Sequence, residues 1–165
     1  MGNTHRQCSI EVENKTSGYT LRDPSWYTHS GSCKIPFPLK IGPSESGSAL
    51  FIKTPHTARG SVGVFTYDLL NGCTNQLDGK IAVMFDNPYD FSLYYNSCAV
   101  GVFDMAKKCD RDLHYQMAKE TEKGFVRGKP ADGTLTYSKL VTIKATMSDT
   151  CQPDIKVQVL NVWEK

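Results

Sequence analysis

The residues best suited to chemistry in this 165-residue chain lie in one stretch, AVMFDNPYDFSLYYNS, from Ala82 to Ser97. A short apolar run, Ala82 to Phe85, stops at Asp86-Asn87-Pro88, and Asn-Pro signals a turn. Aromatic rings follow closely, at Tyr89, Phe91, Tyr94 and Tyr95. Tyrosine has an apolar body and a polar tip, which suits a boundary between water and an apolar phase. Its ring face also attracts a quaternary ammonium such as choline, an interaction worth ~0.5–2 kcal/mol. Lys53, Arg59, Lys107 and Lys108 are available to pair with a phosphate. Composition leaves two readings open: rings that plug the end of a β core, or a surface for a ligand or a membrane.

Other chemistry finds less support. His5, His29, His56 and His114 fall in no catalytic motif, and the chain has no G-x-S-x-G, no H-E-x-x-H and no phosphate-cradling glycine loop. Cys109 and His114 lie around one helix start with nothing to orient them as a dyad, so a structural cysteine and a surface histidine are expected. Asp86 and Asp90 flank Pro88 and read as turn formers rather than metal ligands. No enzyme activity, metal or cofactor is expected. Cys8, Cys33, Cys73, Cys98, Cys109 and Cys151 include no C-x-x-C pair, which argues against zinc-finger and thioredoxin-type sites. Their even number and wide spacing suit either disulfides or reduced structural thiols. Asn14-Lys15-Thr16 is a glycosylation sequon that matters only in a secreted chain.

Strand signals dominate the elements that must position these residues. Cys8, Ile10 and Val12 alternate with Ser9, Glu11 and Glu13, the period of a half-buried strand. A turn over Asn14 to Gly18 leads to a return strand, YTLR. Further strands are expected over Ser48 to Ile52, Ser61 to Tyr67, Lys80 to Phe85, Cys98 to Phe103, Lys139 to Met147 and Asp154 to Trp163. RDPSW reads as a short turn or helix near Pro24, and Gly128 to Thr134 as a loop. DRDLHYQMAKETEK, from Asp110, is built of helix formers with Asp at its start. Leu113 and Met117, joined by Tyr115, give it a modest apolar side. The spacing of short strands predicts a mostly β, two-sheet sandwich flanked by one or two short helices, as a single domain over residues 1–165.

A net charge of +2 with 22 % charged residues is an ordinary globular balance and excludes a nucleic-acid partner. No apolar run approaches the ~20 residues of a transmembrane helix. The start, MGNTHRQ, lacks a signal-peptide core, and Arg6 stands where a myristoylation motif wants Ser or Thr. The expected product is soluble, with secretion slightly favoured.

Within this frame, GSVGVFTYDL followed by GKIAVMFDNPYDFSLYYNS resembles the actinoporins, the sea-anemone pore-forming cytolysins. Those proteins carry A-V-x-x-x-x-Y and then L-x-V-x-F-S-x-P-[FY]-D-Y-x-x-Y. EVENKTSGYTL resembles the first hairpin of the family, His29-Ser30-Gly31 its R-S-G, and KKCDRDLHYQM its basic turn and tyrosine-bearing helix. FVRGKP stands where many members have R-G-D. The resemblance implies a β-sandwich flanked by two helices, with a phosphocholine-headgroup site at one end. Carried over by position, Ser30, Val62, Pro88 and Tyr94 match headgroup-site residues, with Asp86, Tyr89, Tyr95 and His114 as further contacts.

The departures from the family carry expectations too. Asp86 replaces a serine, which is expected to weaken phosphate binding and to favour the choline cation. His114, Ala118 and Lys119 stand where three helix tyrosines are expected, and Leu93 and Ser97 where membrane-dipping tryptophans often stand. Tyr95 compensates in part. The pore of the family is built from an amphipathic N-terminal segment, whereas seven polar residues precede the first strand here. The chain as written is therefore expected to bind membranes peripherally, through phosphocholine-type (sphingomyelin-like) headgroups, without building that pore. Homo-oligomers on membranes are compatible with this reading. The alternative is a glycan-binding lectin of the same fold, using Asp86, Asn87, Asp90 and Tyr89 on sugar hydroxyls and rings.

Overall fold

The computed structural model describes residues 5–164, so Met1-Gly2 and most of MGNTHRQ lie outside the described residues. The strands are β1 (Gln7–Asn14), β2 (Tyr19–Ser30), β3 (Ser32–Ile35), β4 (Lys40–Ile41), β5 (Ser46–Ile52), β6 (Ser61–Asn71), β7 (Gln76–Asn87), β8 (Ser97–Phe103), β9 (Phe125–Gly128), β10 (Leu135–Lys139), β11 (Val141–Met147) and β12 (Asp154–Asn161). The helix α1 (Arg111–Lys119) falls between β8 and β9, and a 3-10 turn covers Pro130–Asp132. One sheet runs β10-β11-β12-β1-β5-β3 and the other β4-β2-β6-β7-β8-β9. β1 lies parallel to β12, and the other described pairings are antiparallel.

The inner faces of the two sheets enclose the main core. Ile10, Val12 and Phe51 of the first sheet are sealed there with Phe65, Tyr67 and Phe85 of the second. Phe37, on the β3–β4 connection, inserts its ring 4.4 Å from Phe65, and Tyr67 Oη donates to the Pro38 carbonyl at 2.6 Å. A second cluster lies on the outer face of the second sheet, where Leu113 and Met117 of α1 pack on Val64, Ala82, Met84 and Ala99. Strands β6 and β7 are thus covered on both faces. Their unbroken buried runs, Gly63 to Tyr67 and Ile81 to Phe85, follow from that double burial.

Several local expectations need correction. RDPSW is neither turn nor helix: β2 runs through it with a bulge between Arg22 and Ser25, with Asp23 at φ 51°. Pro24 has no N–H to give the ladder, and the bulge takes it out of register. The strand expected over Lys139 to Met147 is β11, and an additional strand, β10, precedes it and pairs with it as a hairpin that turns at Leu140 with φ 65°. α1 ends at Lys119, because Thr121-Glu122-Lys123 offers nothing to bury and Gly124 turns the chain at φ 82°. Tyr115 faces solvent, and His114 joins Leu113 and Met117 on the buried side. The GKPADGT loop contains the 3-10 turn. Among the described residues no helix is long and apolar enough to cross a membrane.

Candidate functional site

Cross-strand pairing sets Ser30, Val62, Asp86 and Ser97 opposite one another in a single row across β2, β6, β7 and β8. Directly opposed residues share a face of the sheet, here the face that carries α1. The neighbouring row on that face, Tyr27, Val64, Met84 and Ala99, lies under the helix. At the Asp86–Ser97 end, beside the helix terminus, a cleft of about 520 Å³ opens. Asp86 and Ser97 come from the sheet, Leu93, Tyr94 and Tyr95 from the aromatic loop, and Ala118 and Lys119 from the end of α1. Arg127, Gly128, Lys129 and Asp132 form the remaining wall.

The aromatic loop is fastened at its base and bare at its tip. Asn96 is buried: it accepts from Asn87 Nδ2 at 3.0 Å and donates to the carbonyls of Ser148 and Thr150 at 3.2 and 2.8 Å. Arg6 donates to the Pro88 carbonyl at 3.0 Å and the Tyr89 carbonyl at 2.7 Å. Its guanidinium lies 5.4 and 4.9 Å from the ring centres of Tyr89 and Phe91. Within the loop, the Asp90 carboxylate accepts from the Ser92 backbone and hydroxyl at 2.9 and 2.6 Å, which holds its pKa down. The tip that results, Leu93-Tyr94-Tyr95, is 71 %, 62 % and 61 % exposed.

The charges in the cleft are unequal in their surroundings. The Asp86 carboxylate makes no hydrogen bond or ion pair with a described residue, and burial raises its pKa from 3.8 to about 6 against the opposing pull of Lys119. Arg127 Nε donates to the Met117 carbonyl at 2.7 Å, and the same guanidinium holds the Glu120 carbonyl. It thereby satisfies terminal carbonyls of α1 and sets a positive charge against the negative end of the helix dipole. The Lys129 ammonium lies 4.7 Å from the Tyr95 ring centre. Asp132 accepts from the Lys129 backbone N–H at 2.8 Å. Lys119, Arg127 and Lys129 therefore face one desolvated carboxylate and one that caps a turn.

Of the residues carried over from the sequence, Asp86, Tyr94 and Tyr95 line the cleft. Ser30 and Val62 share the Asp86 row but are not part of the wall. Pro88 is buried. The Tyr89 ring is engaged by Arg6 and by the Lys53 ammonium, 5.7 Å away. His114 is not the expected surface histidine. It is buried, stacked on His29 with ring centres 5.0 Å apart, and its Nε2 has no partner among the described residues. Burial, then His29 and Lys119, pull its pKa down to about 4. The glycan set does not converge either, since Asn87 is buried beside Asn96, Asp90 holds Ser92 and Tyr89 is turned to Arg6.

The phosphate partners named from sequence also lie elsewhere. Lys53 donates to the Thr54 carbonyl at 3.1 Å, and Lys107 sits 5.8 Å from the Phe103 ring centre. The cations that do line the cleft come from the end of α1 and from β9. Lys119 and the Arg127-Gly128-Lys129 stretch were visible as departures from a family pattern, but nothing in their spacing announced that they meet.

The remaining motifs are structural. Cys109 Sγ donates to the carbonyls of Ser25 at 3.5 Å and Val64 at 3.7 Å, and burial raises its pKa, so it forms no thiolate dyad with His114. All six cysteines are free thiols. Asn14 of the sequon is 0 % exposed. Its Nδ2 donates to the carbonyls of Tyr19 and Ile41, and its Oδ1 accepts from the backbone and hydroxyl of Thr16. No group of three or more potential metal ligands occurs among the described residues.

Known proteins share both sequence and fold with this chain. The structure of the lipid binding protein Nakanori superposes with a TM-score of 0.71 at 14 % identity, covering 93 % of this chain and 70 % of that one. Bryoporin of Physcomitrium patens is 33 % identical over 154 residues, 93 % of this chain and 83 % of Bryoporin. DELTA-actitoxin-Aas1a of Anthopleura asiatica is 33 % identical over 118 residues, 69 % of this chain. The matched region spans 51 % of that toxin, and similarly about half of other anemone relatives. The model of the sea anemone cytotoxic protein family matches residues 1–160. That match over nearly its full length makes this chain a member of the sea anemone cytotoxic protein family.

Proposed function

We propose that this chain is a non-enzymatic membrane-binding protein that docks through the Leu93-Tyr94-Tyr95 tip and takes into the Asp86 cleft a zwitterionic headgroup that joins a phosphate to an ammonium, the class to which the phosphocholine group implied by the family resemblance belongs. The observation that carries the reading is the arrangement of charge: a desolvated carboxylate faces Lys119, Arg127 and Lys129 beneath an exposed apolar tip. The cations suit a phosphate, and Asp86 with the Tyr94 ring suits an ammonium. The tip supplies the amphipathic contact with the interface. Membership of a cytotoxic family and the likeness of fold to a lipid binding protein support the same reading. Attachment and permeabilisation are separate steps, and the proposal concerns attachment.

The test is co-sedimentation with dye-loaded phosphatidylcholine vesicles, with and without sphingomyelin, scoring binding and dye release together. Wild type is expected to bind, and Tyr94→Ala to bind at least about fivefold more weakly. Equal binding by the variant, or no binding to either vesicle, overturns the proposal. Free saccharide that competes for the cleft turns the assignment to a glycan.

A further inference from the structure

The ammonium side of the cleft is built for a donor of hydrogen bonds. A quaternary ammonium has no N–H and is held by several ring faces closing around it. This cleft offers few: Tyr95 already has the Lys129 ammonium 4.7 Å from its ring centre, and Ala118 and Lys119 fill the helix side. Tyr94 is the lining ring with no cation over it among the described residues. Asp86, by contrast, is a largely desolvated carboxylate with no hydrogen-bond partner among the described residues. A primary ammonium meets that need with up to three N–H donors at short, charge-assisted distances, while three N-methyl groups would hold a cation away from the oxygens.

From this we infer that the cleft selects a phosphate ester bearing a primary ammonium, a phosphoethanolamine headgroup, over its N-trimethylated counterpart, with Asp86 as the residue that discriminates. The ammonium sits against Asp86, and the phosphate against Lys119, Lys129 and the part of the Arg127 guanidinium not engaged with α1. The inference rests on reading the cleft as a headgroup site and adds which headgroup it takes.

Two measurements separate the possibilities. Amide chemical shifts around Asp86, Ala118 and Arg127 are followed by NMR during titration with O-phosphoethanolamine, phosphocholine and inorganic phosphate. Co-sedimentation is then measured with vesicles containing ceramide phosphoethanolamine or sphingomyelin, which share a ceramide and differ in the N-methyl groups. Wild type is expected to favour the primary ammonium roughly tenfold in both formats, since one charge-assisted hydrogen bond is worth about that factor. Asp86→Asn and Asp86→Ser are expected to bring that ratio close to one while retaining binding to inorganic phosphate. Melting curves confirm that both variants are folded. Equal or better binding of phosphocholine and sphingomyelin overturns the inference and leaves the headgroup site standing. No shift with any soluble probe and no binding to either vesicle overturns the site and the inference with it. Selectivity for O-phosphoethanolamine without any vesicle binding identifies a soluble ligand and overturns the lipid source.

Discussion

Asp86→Asn should make the protein more stable while removing the charge on which headgroup choice depends. The carboxylate is desolvated, its neighbours of charge are Lys119, Arg127, Lys129 and Asp132, and burial dominates over the pull of Lys119. The folded protein therefore holds this proton more tightly than the unfolded chain does. Relative to a neutral residue, the contribution is fully present below the unfolded value of 3.8 and is lost as pH rises through about 6. The interval corresponds to roughly 3 kcal/mol, at about 1.36 kcal/mol per pH unit. Asparagine keeps the shape and loses the charge, so above pH 7 the variant should gain on the order of 2–3 kcal/mol. For a chain of this size that is a rise in Tm on the order of 5–10 °C. The gain should vanish below about pH 4.

His114 works in the opposite sense. Its folded value lies near 4 against 6.5 unfolded, so its contribution is present above 6.5 and is lost as pH falls through 4. The groups facing it are His29 and Lys119. Between about pH 4 and 6 the two residues oppose one another. Asp86→Asn should therefore unmask a stability that climbs with pH, and His114→Gln one that falls. Urea unfolding from pH 4 to 8 reads both slopes. A difference between wild type and Asp86→Asn that does not change with pH would refute the desolvation of this carboxylate.

Two other perturbations test the supports of the site. Asn96→Ala leaves the carbonyls of Ser148 and Thr150 and the Asn87 amide without their partner, at a cost of roughly 2–3 kcal/mol in urea unfolding. Faster hydrogen exchange over residues 88–95 should accompany it, and unchanged exchange would mean that the loop is held elsewhere. The Asn14 sequon should stay unglycosylated even when the chain is passed through a secretory pathway, as mass spectrometry would show, because both amide hydrogens of Asn14 are bonded in the core. A glycan found there would contradict its burial.

Much of the sandwich was legible because its strands bury one face or both, and burial leaves a period in the sequence. Cys8, Ile10 and Val12 alternate because β1 is half covered; Ile81 to Phe85 run unbroken because β7 is covered twice. The edge strands β3 and β4 bury little, and β9, which buries Phe125 and Gly128, is too short at four residues to show a period. The cleft was legible in part. Asp86, Tyr94 and Tyr95 stood out by type, since a charge and bare rings beside a turn need a reason. Lys119 and Arg127 did not, because ordinary cations on a helix end and an edge strand become a site only when β9 returns beside β8. The sequence around His114 suggests a surface residue for a similar reason. Its burial is set by the meeting of α1 with β2, a contact between distant parts of the chain that local periodicity does not encode.

The most direct measurement places the loop tip relative to the bilayer. Leu93→Trp puts an indole at the most exposed point of the tip, and its fluorescence is read on vesicles containing lipids brominated along their acyl chains. The emission of Trp26 and Trp163 is taken from wild type under the same conditions. If the cleft opens onto the membrane, the added emission should shift to the blue and be quenched when the protein binds. Protein that co-sediments with those vesicles while the added emission stays unquenched would mean that a different face meets the membrane.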